Sequence, residues 1–138
     1  MGPKGPFFYG ELMTKLKLEG LTFKKSEHYE QVLFVMWFRK QYPKHKIFAI
    51  PNGGSRGTGI SAKVTGSMLK AEGVDPGVPD LMIPAAKMFI EMKSKSGKIK
   101  DEQQEYIDYL KECGYKVYVA YGADEAIQYT KAAMGDIL

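Results

Sequence analysis

Gly77-Val78-Pro79-Asp80-Leu81-Met82-Ile83-Pro84, followed after three residues by Met88-Phe89-Ile90-Glu91-Met92-Lys93, is the stretch on which the fold turns. It reads as two short apolar strands joined through a turn at Pro84-Ala85-Ala86-Lys87. Side chains alternate between faces along a strand. Phe89, Glu91 and Lys93 therefore share one face of the second strand, and Met88, Ile90 and Met92 share the other. Asp80 opens the first strand, so hairpin pairing brings it opposite Glu91, with Cβ atoms roughly 5 Å apart. Two carboxylates that close repel, and one takes up a proton unless a cation lies between them. Oxygen-only ligands suit Mg²⁺ or Mn²⁺. The spacing predicts a metal site.

Before this hairpin, Ser26 is a good helix N-cap, and Glu27 suits the positive end of the helix that follows. The run Val32–Phe38 is apolar throughout, which predicts a helix buried on most sides. Helical spacing puts Glu30, Leu33, Phe34, Trp37 and Gln41 on one stripe. Glu30 is then a carboxylate at the end of an apolar face, where an uncompensated charge is costly. Glu27 is the alternative acid. Lys46–Ile50 reads as a short strand. The loop Asn52-Gly53-Gly54-Ser55-Arg56-Gly57-Thr58-Gly59 lets backbone amides approach a phosphate, with Arg56 as its anion contact. It is not a nucleotide-binding P-loop, because Ile60 stands where that motif needs lysine. Ser61–Glu72 reads as a helix stopped by Gly73.

After the hairpin, Ser94–Lys100 is a basic loop, and Lys95, Lys98 and Lys100 are candidates for phosphate contact beside the acids. Asp101 is read as the cap of a helix running to Cys113. Gln103, Tyr106, Ile107 and Leu110 form its inner stripe, with Gln104 a quarter-turn away. A buried-face amide needs a specific partner. Tyr115–Tyr121 is a strand, read with Val117 and Val119 on one face and Tyr115, Tyr118 and Tyr121 on the other. Ala123–Met134 is a closing helix. The order is helix, strand, helix, strand, strand, helix, strand, helix. This predicts an α/β fold with a mixed sheet flanked by helices on both faces.

Pro79-Asp80 followed by Glu91-Met92-Lys93 resembles the Pro-Asp…(Asp/Glu)-x-Lys signature of restriction-endonuclease-like nucleases. Pro51-Asn52-Gly53-Gly54, Leu69–Gly73, Gly77–Leu81, Phe89–Lys93, Gln103 and Gly114–Val117 stand in the order seen in VRR-NUC domains. The pair alone is common by chance; inside six ordered blocks it is specific. The resemblance implies a Mg²⁺- or Mn²⁺-dependent endodeoxyribonuclease. Asp80, Glu91 and the Met92 main-chain carbonyl would hold the metal. Glu30 resembles the family's acid on the first core helix, acting directly or through a water. Lys93 would position or deprotonate the attacking water, and Gln103, matching the family's glutamine, would orient Lys93 or that water. Stand-alone members resemble four-way-junction resolvases, so branched DNA and a homodimer are the expected partners. Phe7, Phe8, Tyr9, Tyr115, Tyr118 and Tyr121 are interface candidates, unless the strand tyrosines lie under a helix. The alternative is a non-catalytic DNA-binding module on the same fold. The presence of Asp80, Glu91 and Lys93 speaks against it.

Composition bounds the rest. With 138 residues the chain can bury a full core, and 44% apolar with 26% charged residues is ordinary for a globular domain. The expected organisation is a basic arm over 1–25, a nuclease domain over 26–134 and a tail over 135–138. One cysteine excludes an internal disulfide, and with two histidines a zinc site is disfavoured. The sequence carries no apolar run long enough for a membrane span and no signal-peptide pattern. The expected setting is a prokaryotic cytoplasm, with a phage origin in keeping with the family. The net charge of +4 suits DNA but is weak support alone.

Overall fold

This computed structural model describes residues 27–51, 66–135 and 137. The first element, α1, spans Glu27–Gln41. Tyr29, Leu33, Phe34, Trp37 and Phe38 form its buried stripe, at helical spacing, while Val32, Val35 and Met36 are only half-buried. The apolar run is thus one buried face with partly covered flanks, not a helix enclosed on most sides. Arg39 and Lys40 lie in its last turn, where cations meet the negative end of the dipole.

Strand β1 is only Phe48–Ala49, shorter than the expected 46–50. Residues 66–71 are helical, as the reading of Ser61–Glu72 requires at its described end. Strands β2 (Leu81–Ile83) and β3 (Met88–Lys93) are joined by a 3₁₀ turn at Pro84–Ala86. Lys87 closes that turn in the left-handed region, φ 50°. Helix α2 (Asp101–Glu112) crosses over to β4 (Lys116–Tyr121), and α3 (Ala123–Gly135) closes the chain. The sheet order is β1-β2-β3-β4. β1–β2 and β2–β3 pair antiparallel and β3–β4 parallel. A parallel pair needs a crossover, and α2 supplies it. The mixed sheet with helices on both faces is the expected architecture.

Alternation along β3 divides the molecule. Met88, Ile90 and Met92 are fully buried in the large core shared with α1 and α3. Phe89 belongs to a smaller cluster with Ile107, Leu110 and Val117 under α2. β4 corrects one expectation, since its three tyrosines do not share a face. Tyr118 stacks on Tyr129 of α3 at 4.6 Å and 8°. Tyr115 meets Phe89 edge-on at 5.2 Å, on the α2 side with Val117. Strict period two makes this inevitable, because 115 and 117 have the same parity. Tyr118 is therefore packed under a helix and is no interface candidate. Phe7, Phe8 and Tyr9 lie outside the described residues.

Candidate active site

The site forms where β2 begins and β3 ends. The ladder between β2 and β3 ends with Leu81 paired to Ile90, so Asp80 and Glu91 are the next residues along the two segments. Asp80 sits just outside the strand and turns its carboxylate into the ladder: Met92 N–H donates to Asp80 Oδ2 at 2.7 Å. Its own carbonyl accepts Ile50 N–H at 2.8 Å, which ties it to the β1 side as well. Met92 N–H points towards Asp80, and in an antiparallel ladder a residue's N–H and C=O point to the same neighbour, so the Met92 carbonyl lies on the Asp80 side of β3. Pro79, next to Asp80 in the chain, has no N–H to give.

Glu91 and Lys93 extend from the same face of β3 and are both buried, at 2% and 7% exposure. Lys93 Nζ lies 4.0 Å from Glu91 Oε1. Lysine thus supplies a positive charge beside the acids, so the pair does not depend on a metal alone for neutralisation. The loop after β3 folds back over the lysine stem. Gly97 N–H donates to the Ser94 carbonyl at 2.9 Å, and a Cβ on Gly97 would lie 3.3 Å from Lys93 Cδ. Lys95, Lys98 and Lys100 on this loop are exposed.

Gln103 comes from the first turn of α2. Its oxygen accepts Lys100 N–H at 2.9 Å, which leaves its amide nitrogen to donate to Glu91 Oε1 at 3.4 Å, a long bond. The partners fix the amide's orientation, since a carboxylate can only accept and an N–H can only donate. Lys100 is the N-cap residue, and Asp101, expected as the cap, is the first helical residue. Only half a capping box exists, because an ammonium cannot accept the reciprocal bond. Gln104 instead reaches Asp108 on the exposed face, at 2.9 Å.

Glu30 is placed differently. α1 packs against the Met88–Ile90–Met92 face, opposite the one bearing Glu91 and Lys93. From there the Glu30 carboxylate reaches the end of β4, where Ala123 N–H donates to Glu30 Oε1 at 3.4 Å. Gly122, at φ +104°, makes room: a Cβ there would lie 2.9 Å from that oxygen. Among the described residues no three acidic, histidine or cysteine side chains are grouped to hold a metal. Asp80 and Glu91 come together; Glu30 does not join them as a third. The Glu27 side chain, Asn52, Gly53, Gly54 and Arg56 lie outside the described residues.

Two further contacts fasten the loop that delivers Asp80, and neither follows from the pattern of the sequence. Tyr106 of α2 donates its hydroxyl hydrogen to Asp75 Oδ2 at 2.6 Å. Gly77, at φ +94°, lies so close to α2 that a Cβ would come within 2.7 Å of the Glu102 carbonyl oxygen. Any side chain at Gly77 meets rigid helix backbone, not a flexible tip.

Two donor features fit an oxygen-seeking divalent ion: the carboxylates of Asp80 and Glu91 at adjoining strand ends, and the Met92 main chain beside Asp80. Mg²⁺ commonly takes one or two carboxylates and completes its shell with water and substrate phosphate, so two acids suffice.

A family model described as the VRR-NUC domain matches residues 25–124. A solved structure titled "VRR_NUC domain protein" is similar at 26% identity and a TM-score of 0.61, covering 77% of this chain and 85% of its own. No curated protein matches.

Proposed function

The chain belongs to the VRR-NUC domain family, a nuclease family, and from that premise we propose that it is a divalent-metal-dependent endonuclease acting on DNA. The observation that carries this reading is the Asp80 carboxylate held by Met92 N–H at 2.7 Å, next to Glu91, with Lys93 Nζ 4.0 Å from Glu91 Oε1. Asp80, Glu91 and the Met92 carbonyl would hold the ion. When bound, Mg²⁺ or Mn²⁺ neutralises phosphate charge and lowers the pKa of a coordinated water. Asp80 and Glu91 would fix that ion, and with it phosphate and water, at one end of β3. Lys93, with its stem held under the Ser94–Gly97 turn, presents one ammonium at that end. The ammonium orients the attacking water and stabilises charge developing on the phosphate oxygens, whereas only as the neutral amine would the same group take that water's proton. Gln103 holds Glu91 Oε1, and so fixes the carboxylate that adjoins Lys93. Glu30 contributes through a water, from the other side of the sheet.

The proposed phosphate contacts are Lys95, Lys98 and Lys100 of the exposed basic loop, with Asn52, Gly53, Gly54 and Arg56 as further contacts read from the sequence. Contacts of this kind grip phosphates and carry no base information, which favours recognition of shape over sequence. We infer a preference for branched DNA, with four-way junctions cut by a two-fold homodimer whose two sites match the junction's symmetry.

A panel of linear, nicked, flapped and four-way-junction DNA, incubated with Mg²⁺ and then Mn²⁺, tests the reading. Cleavage that stops in excess chelator and is fastest on junctions is expected. Full cleavage in chelator would remove the metal mechanism. Equal rates on junction and linear DNA would remove the resolvase preference and leave the nuclease. Light scattering at micromolar protein that gave the single-chain mass of 15.5 kDa would remove the dimer.

A further inference from the structure

The two carboxylates of the site are carried by separate segments, and both are referenced to one helix. Glu91 receives the Gln103 amide from the first turn of α2. Asp80 ends a connecting segment that touches the same helix twice before reaching β2. Asp75 accepts the Tyr106 hydroxyl at 2.6 Å, and two residues later the Gly77 backbone lies against Glu102 and Gln103. Gly77 and Pro79 are buried, whereas Asp75 and Pro76 are exposed. The chain therefore enters the protein between the Tyr106 contact and Asp80.

We propose that Tyr106 and Asp75 are positioning residues for Asp80, clamping its loop to the helix that also holds Glu91. The Tyr106 ring packs against the cluster of Ile107, Leu110 and Val117, so the hydroxyl is presented from a fixed base. The bond is short, 2.6 Å, but exposed to solvent, so it is worth about one ordinary hydrogen bond. The bond pushes the Tyr106 pKa up to about 12, so the donor keeps its proton at any pH where DNA is handled. Without the clamp the segment keeps the packing of Gly77 on α2 but loses its side-chain tie to Tyr106. The Asp80 carboxylate then leaves Met92 N–H more often and meets Glu91 in the right geometry less often.

The geometry stands by itself; its catalytic consequence rests on the nuclease reading. The experiment therefore has two readouts. The first is amide hydrogen exchange at Met92, whose N–H is held by Asp80. Tyr106→Phe keeps the packed ring and removes the bond. It should speed Met92 exchange about five-fold, the worth of one ordinary hydrogen bond, and leave Val119 on β4 unchanged. The second readout is cleavage and Mn²⁺ binding by calorimetry. Tyr106→Phe should lower kcat and metal affinity by a similar factor without changing KM for DNA. Asp75→Ala should match it, and the double variant should be no worse than either single one. Asp75→Asn, which keeps an acceptor oxygen, should restore most of the loss. Unchanged Met92 exchange in Tyr106→Phe would overturn the clamp, whatever the enzyme does. Asp75→Asn as impaired as Asp75→Ala would also overturn it, pointing to charge and not position. Faster Met92 exchange in a protein whose parent never cleaves DNA would uphold the clamp and refute the nuclease reading.

Discussion

The two faces of the sheet are built from the same strands and do different work. On the α1/α3 face, Met88, Ile90 and Met92 meet Phe34, Phe38 and Met134 in a core buried almost without exposure. On the α2 face the buried apolar cluster among the described residues is Ile107, Leu110 and Val117, and the strand end beside it carries Glu91 and Lys93. One face concentrates apolar burial, the main stabilising term in folding. The other places an acid and an ammonium where water is largely excluded and electrostatic interactions are strong. The contrast shows how a small domain tolerates a buried ion pair: neighbouring positions on β3 point into a core large enough to hold the strand in place.

Asp80→Asn should do the most damage to function. The amide oxygen can still accept Met92 N–H, so the fold should persist, while the charge that would hold a metal is gone. Cleavage should fall to background and Mn²⁺ binding should weaken in calorimetry, with the melting temperature nearly unchanged. An Asp80→Asn protein that unfolds would mean that the two faces are not separable. Next, Lys93→Ala should lower the cleavage rate by about 10²–10⁴, the range for a lost acid–base or oxyanion group. DNA affinity should hardly move, since one phosphate contact among many adds modestly. Normal cutting with much weaker binding would make Lys93 an anchor.

The opposite face gives the reciprocal result. Ile90 is fully buried, one position from Glu91. Ile90→Ala should cost about 2–5 kcal/mol of stability, read by denaturant titration. The fraction still folded should cleave at the parent rate. A folded Ile90→Ala protein without activity would show that core packing, not only loop and helix contacts, sets the site.

How much of this is legible in the sequence follows from the range of each contact. Period two along β3 is enforced by local stereochemistry, so the order of residues alone assigns Phe89, Glu91 and Lys93 to one face. The register that pairs Leu81 with Ile90, and so brings Asp80 to the end of β3, follows from a short hairpin connection. Gln103 is readable because helical period three to four puts it on the stripe with Tyr106, Ile107 and Leu110. Grouping the β4 tyrosines on one face goes against parity, although that rule is as local as the one that works on β3. The Tyr106–Asp75 bond is not readable, because its partners lie 31 residues apart and Asp75 sits in no periodic pattern. Nor is the reach of Glu30. Its stripe on α1 is clear, but the level at which α1 crosses the sheet is set by packing against α3 and not by its own residues.

Glu30 is where the division between the faces is least sharp, and a conservative change there should disturb the protein least. Its carboxylate rises from the core side and accepts Ala123 N–H, one of the amides at the start of α3 that no intrahelical carbonyl can satisfy. A negative charge there also suits the helix dipole. Glu30→Gln keeps an acceptor for that amide and loses the dipole component, about 0.3–1 kcal/mol. Glu30→Ala also loses the amide's partner, adding a cost in the range of a lost helix cap, about 0.5–2 kcal/mol. If Glu30 acts on the metal through a water, Glu30→Gln should slow cleavage by about ten-fold or less, because an amide oxygen still orients a water. Stability measured by denaturant titration and cleavage measured on a junction substrate separate these contributions. A Glu30→Gln protein as inactive as Asp80→Asn would move Glu30 into the metal's own ligand set, requiring its carboxylate to leave Ala123 when DNA and metal bind. Unchanged cleavage with the expected loss of stability would make it a cap on α3 and confine the chemistry to the α2 face.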